Sequence, residues 1–257
     1  MQLKTLGGPV TEESKPVSLL AASANYVGPP LARLLARSGH NLVLETPSDD
    51  LVAELRASGT AVEVVSKVDH SSHEGTATLV DAALARFGRL DAACLITGQI
   101  VIGPFLESSP DDWERVKRAN LDGVYYGLRA VLPPMVKAGT GQVVVFTSAA
   151  GARPEPRVSL YGSTRAGANA LVRAVGLEYA RSGVTVNAIG TNFMDFPGFI
   201  KANRAEDPEG RKRVEQQVPM RRLGTMEELA EFTVVLLDGR TRFQTGQFFS
   251  YSGGWST

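Results

Sequence analysis

The chain has 257 residues, of which 43% are hydrophobic, enough to bury one substantial core as a single α/β domain. Lys plus Arg and Asp plus Glu number 27 each, so net charge suggests neither a nucleic acid nor an anionic membrane surface as partner. The single cysteine, Cys94, excludes a disulfide within one chain, and its apolar surroundings point to a packing role over a catalytic thiol.

Residues 1–15, with Gly7-Gly8-Pro9, read as a flexible lead-in to a domain over residues 16–257. Nothing in Met1 to Lys15 has the basic-then-apolar form of a secretion signal, and no apolar run approaches the ~20 residues of a membrane span, so a cytoplasmic protein is expected. The chain then alternates short apolar runs with helical patterns. Strands are predicted at Val17 to Ala21, Asn41 to Leu44, Val62 to Val65, Ala92 to Ile96, around Val143, at Thr185 to Ile189 and at Gly246 to Phe249. Between them the periodicity predicts helices at Pro30 to Ser38, Leu51 to Ser58, Leu79 to Phe87, one long helix from Asp111 to Lys137, a helix opening near Tyr161, and one from Met226 to Leu237. This βαβ alternation predicts a single-domain Rossmann-like, doubly wound parallel sheet with helices on both faces. His40, His70 and His73 are scattered without cysteine partners, so no metal is expected.

The segment Ser148 to Arg165 carries the chemistry: it runs from the end of an apolar strand to Y-x-x-x-R. On a helix, positions i and i+4 share a face, which sets the Tyr161 phenol beside the Arg165 guanidinium. A phenol titrates near ~10 and is a poor base at neutral pH unless a cation stabilises its anion. Arg keeps its charge at any working pH and can do so without exchanging the proton. Ser148, Tyr161 and Arg165 are therefore the expected catalytic residues. An isolated Y-x-x-x-R would more simply be a Tyr at the edge of a core with a solvated Arg; the setting is what favours chemistry.

The order strand, Ser, loop, Tyr-helix resembles the short-chain dehydrogenase/reductase superfamily, whose motif is S…Y-x-x-x-K, with Arg165 here in place of the Lys. Other departures accumulate. Against T-G-x-x-x-G-x-G, the first turn has Ala22 and Tyr26 at the first two glycines and keeps only Gly28; N-N-A-G has become Leu95-Ile96-Thr97-Gly98. Val186 to Met194 is similar to V-N-A-I-x-P-G, with Thr191-Asn192 for Pro-Gly. Ser-Tyr-Arg with an aromatic residue in the glycine turn resembles the halohydrin dehalogenases, with the G-type subfamily, which takes bulky or cyclic epoxides, as the branch considered nearest.

That resemblance implies a cofactor-independent carbon-halogen lyase that turns vicinal halohydrins into epoxides and halide, and in reverse opens epoxides with azide, cyanide, nitrite or halide. Tyr161 would move the proton, Ser148 would hold the substrate oxygen and Arg165 would stabilise the phenolate. Tyr26, Asn192, Phe193 and Met194 would line a halide pocket continued by Phe196 and Phe199. Plain packing stands as the alternative for Tyr26 and for the phenylalanines. Glu45 and Asp69, at positions where carboxylates meet adenosine in the superfamily, read as inherited or solvated groups. The resemblance also implies a homotetramer, and the aromatic end, Gln247 to Trp255, is expected to dock, with a neighbouring subunit's pocket as one destination. Two other readings remain open: an NAD(P)-dependent short-chain oxidoreductase with a divergent nucleotide loop, and a scaffold of this fold without activity.

Overall fold

The computed structural model describes residues 15–256; the expected lead-in therefore falls outside the described residues, Lys15 apart. Seven parallel strands form one sheet in the order β3-β2-β1-β4-β5-β6-β7, with β1 Val17–Leu20, β2 Asn41–Glu45, β3 Val62–Val65, β4 Ala92–Ile96, β5 Gly141–Ser148, β6 Val184–Thr191 and β7 Phe248–Tyr251. Consecutive strands run outward from β1 on one side and from β4 on the other. The strand order reverses between them, which opens a crevice at the carboxyl ends of β1 and β4.

Both faces of the sheet are covered, which is why β1, β2 and β5 are buried at every residue and each carries an apolar centre. Adjacent residues serve opposite cores. Leu19, Val43, Val143 and Val186 pack beneath α3 (His73–Phe87), α5 (Gly123–Ala138) and α6 (Ser159–Glu178), whereas Leu20, Leu44, Cys94 and Ile189 pack against α1 (Gly28–Arg37) and α9 (Met226–Val234). Burial pushes the Cys94 thiol far up, as expected of a packing residue. Among the described residues no helix is long and apolar enough to cross a membrane.

The long helix expected from Asp111 is broken. It runs as α4 (Pro110–Lys117), a π turn over Arg118–Asp122, and then α5. The cause is Asn120, fully buried in the turn. Its amide nitrogen donates to the Val116 carbonyl of its own helix (2.8 Å) and to the Gln99 carbonyl (2.7 Å), while its oxygen accepts from the Gln99 N–H (3.2 Å). A side chain that takes a helix carbonyl diverts the regular i→i−4 ladder, an event that apolar periodicity does not register. Two further short helices, α7 (Pro197–Ala202) and α8 (Pro208–Glu215), follow β6 where only a pocket wall was expected; each begins with a Pro in its first turn, where a missing N–H costs nothing.

Glu45 corrects another expectation, since it is neither spare nor solvated. At the end of β2 it is 2% exposed, and it accepts from the Ala22 N–H (2.7 Å) and the Val68 N–H (2.9 Å) and pairs with His70 Nε2 (2.7 Å). Burial alone would raise this carboxyl, but the bonds from His70, Val68 and Ala22 outweigh it and hold the carboxyl below its ordinary value. A depressed folded-state pKa contributes stability above the unfolded value, and that stability is lost as pH falls through the folded one. Glu45→Gln should therefore cost about 1–3 kcal/mol in urea unfolding at neutral pH. The difference from the unsubstituted protein should shrink toward zero once the carboxyl itself is protonated, because the two side chains then carry the same charge.

Candidate functional site

Ser148 lies at the carboxyl end of β5, and Tyr161 and Arg165 lie on α6, whose Arg165 reaches the Phe146 carbonyl in the same strand. Ser148 closes β5 and is buried; its hydroxyl accepts from the Ala150 N–H (3.1 Å) and leans toward the Thr191 carbonyl (3.4 Å). Tyr161 and Arg165 lie one turn apart on α6, and the guanidinium carbon sits 5.3 Å from the centre of the Tyr161 ring. Arg165 is 4% exposed, not solvated. It donates to the Thr97 carbonyl just beyond β4 and to the Phe146 carbonyl in β5 (3.4 Å), while its Nε is buried without a hydrogen-bond partner. Taking a cation out of water is expensive; two carbonyls and the negative face of an aromatic ring offset that cost and fix where the charge lies.

Tyr26 belongs to the same site. Burial pushes its phenol well up, the bond to Thr191 opposes that, and the charges of Tyr161 and Arg165 both reach it. Its hydroxyl lies 2.7 Å from Thr191 Oγ1, and its ring stands edge-on to Phe146 (centroids 5.8 Å apart) and Phe196 (4.9 Å). The ring thus crosses the crevice from the β1 turn to the end of β6. The turn keeps a glycine-like backbone although it has lost its glycines: Ala22 has φ 52° and Tyr26 φ 55°. For residues with a side chain this costs on the order of 1–2 kcal/mol each, strain of the kind that collects at functional sites. Gly28 survives for a different reason, since a Cβ there would lie 2.5 Å from the Ser23 carbonyl oxygen.

The remaining expected pocket residues do not form one wall. Phe199 joins Phe196 (6.3 Å) to Phe193 (5.7 Å), but Phe193 is core, clustered with Val214, Leu223 and Trp255, and Met194 packs among the β-strand leucines. Asn192, Phe193 and Met194 line a separate cavity of about 260 Å³ with Tyr251 and Gly253, which Tyr26, Ser148, Tyr161 and Arg165 do not line. The aromatic end docks on its own chain: Trp255 is buried against Phe193 (5.6 Å), with the Arg153 guanidinium 4.6 Å from its ring centre. Sequence reasoning gave no role to Thr191, Phe146, Gly98 or Asn120. Thr191 had one visible signal, a hydroxyl where the superfamily carries Pro.

A larger cavity of about 750 Å³ opens beside the site, between Ala22, Asp69, His70, Ile96 to Gln99 and the face of α4 around Arg115 and Arg118. Among the described residues no cluster of three or more His, Cys, Asp or Glu could hold a metal ion.

Residues 21–256 match the family described as "Enoyl-(Acyl carrier protein) reductase". The chain is 30% identical to 3beta-hydroxysteroid dehydrogenase 1 of Eggerthella lenta, over 92% of each protein. It is 29% identical to 2,5-dichloro-2,5-cyclohexadiene-1,4-diol dehydrogenase LinX of Sphingobium indicum, over 93% of this chain and 96% of that one. Among solved structures, levodione reductase superposes with a TM-score of 0.83 at 27% identity, covering 93% of this chain and 96% of its own. An actinorhodin polyketide ketoreductase with NADPH superposes with a TM-score of 0.86 at 25% identity, covering 95% and 98%.

These relatives overturn the expectation of a cofactor-independent carbon-halogen lyase, because they are dehydrogenases and reductases. The physical reason for the misreading is plain. Ser-Tyr-Arg moves a proton to or from an oxygen; it does not specify which bond breaks at the neighbouring carbon, so replacing a Lys by Arg is no evidence for halide chemistry.

The tie between Tyr26 and Thr191 is open to a direct check. Thr191→Val keeps the shape and strands a buried phenol, so thermal or urea unfolding should show a loss of about 1–3 kcal/mol. An unchanged stability would mean that the phenol finds another partner.

Proposed function

Because the chain belongs to the short-chain dehydrogenase/reductase superfamily, we propose that it is an oxidoreductase interconverting an alcohol and a carbonyl. One observation supports the reading: a buried cation stands 5.3 Å from the Tyr161 ring on α6, with Ser148 at the end of β5 whose Phe146 carbonyl that cation bonds, in a chain whose relatives are dehydrogenases and reductases. Ser148 hydrogen-bonds the substrate oxygen, Tyr161 takes the hydroxyl proton in oxidation and returns it in reduction, and Arg165 holds a positive charge beside the Tyr161 ring. Tyr26, Phe196 and Phe199 supply an apolar wall, which suits a cyclic secondary alcohol better than a charged substrate.

A nicotinamide dinucleotide, the hydride carrier such chemistry calls for, fits this site only in part. Its adenosine half has room in the 750 Å³ cavity beside Ala22, Asp69 and Gly98, although Glu45 is already committed to the backbone and His70. The other half has room only once the Tyr26 ring swings off Phe146, Phe196 and Thr191, so dinucleotide binding carries the cost of that movement. No step is therefore drawn through it, and what this chain's own residues contribute is the proton half of the reaction.

The test is oxidation of a panel of cyclic secondary alcohols with NAD+ and with NADP+, followed by formation of the reduced dinucleotide. Turnover is expected, and Tyr161→Phe, which keeps the ring and deletes only the hydroxyl, should lower it by roughly 10²- to 10⁴-fold with little change in stability. Absence of turnover across the panel with both dinucleotides would overturn the reading. Removal of the Tyr26 ring by Tyr26→Ala should tighten dinucleotide binding about tenfold or more in calorimetry, a gain of about 1.4 kcal/mol. Equal affinity in the two proteins would show that the ring is no obstacle.

A further inference from the structure

We propose that Gly98 is a positioning residue whose missing side chain is what allows the Arg165 guanidinium to reach its place over Tyr161. The proposal rests on the reading above in one respect, that Arg165 acts on Tyr161.

Gly98 follows β4 on an exposed corner of the chain, where substitution would ordinarily be tolerated. Two observations say otherwise. Its φ is 133°, a conformation that residues with a side chain rarely adopt. A Cβ built there would meet Arg165 first, at 1.8 Å from Nη2 and 2.7 Å from Cζ, and then Asn120 Oδ1 at 2.6 Å. The obstacle is thus the guanidinium itself and the amide that fixes the corner, not the hydrophobic core.

The path of Arg165 explains why. To donate to the Thr97 and Phe146 carbonyls, the guanidinium must pass directly beneath residue 98. Asn120 grips both backbone groups of Gln99, so the corner cannot swing aside to make room. With a methyl group at 98, the side that yields is the far end of Arg165. It has little freedom sideways, because Tyr161 lies on one flank and the guanidinium is tied to the Thr97 and Phe146 carbonyls. A shift of an ångström or more takes charge away from Tyr161 and a donor away from the Thr97 carbonyl. A Lys at 165 carries no atom at the Nη2 position and would not press on residue 98 in this way.

The experiment is a double-mutant cycle of Gly98→Ala and Arg165→Lys, with two readouts. The first is the NMR spectrum of ¹⁵N-arginine-labelled protein, in which the Arg165 guanidinium signals are assigned by their loss in Arg165→Lys. The second is the kinetics of alcohol oxidation at neutral pH. Gly98→Ala should move the guanidinium signals and lower kcat by about tenfold with KM changed less than about threefold. In the Arg165→Lys background the same substitution should cost less than about twofold, since its target is gone. An equal loss in both backgrounds, or guanidinium signals that stay in place, would overturn the proposal. The spectrum needs no turnover, so it decides the role of Gly98 even where a failed alcohol assay has removed the oxidoreductase reading.

Discussion

The site depends on one buried charge. The Arg165 guanidinium is held between the Thr97 and Phe146 carbonyls and the face of Tyr161, and each neighbour constrains another part of the fold. The carbonyls belong to the ends of adjacent strands β4 and β5, so the position of the cation is set by strand register. The ring belongs to α6, one helical turn away, so the distance between phenol and cation is set by helix geometry. Residue 98 must be small and its corner must be rigid, which brings in Asn120 and with it the π turn that breaks the helix between α4 and α5. A local irregularity that looks like a fault in a long helix is thus part of the support for the site.

The crevice beside this charge shows how backbone and side chain can diverge. The β1 turn has kept the left-handed conformation at Ala22 and Tyr26 that glycines adopt freely. The Ala22 N–H is held by Glu45, the Tyr26 hydroxyl by Thr191, and the following helix presses so close that residue 28 must remain Gly. These contacts outweigh the strain. The result is a turn of dinucleotide-binding shape with an aromatic ring placed across half of the space it frames, while the cavity toward Asp69 stays open.

Much of this was legible in the sequence, for identifiable reasons. The strands were, because a sheet covered on both faces writes itself as short apolar runs, and β3 and β4 fall where the runs predict. The placement of Arg165 beside the Tyr161 ring was too, since i,i+4 spacing on a helix sets two side chains on one face. The break at Asn120 was not legible, because it arises from one amide reaching across to Gln99. The turn of Phe193 away from Tyr26 was equally hidden: a short loop exposes every aromatic residue to a pocket reading, and only three-dimensional packing sends Phe193 to Trp255. The reaction class was misread at a different level, by taking the identity of the cation as a sign of the bond to be broken.

The central claim is that Arg165 acts through Tyr161 and has no separate role in the reaction. The most direct measurement compares alcohol turnover by Tyr161→Phe, by Arg165→Gln, whose amide can still donate to a strand-end carbonyl, and by the protein carrying both changes. If the cation acts only through Tyr161, the double variant should be no slower than the slower of the two single ones. Losses that multiply would contradict the account, because Arg165 would then contribute to the reaction independently of the phenol beside it.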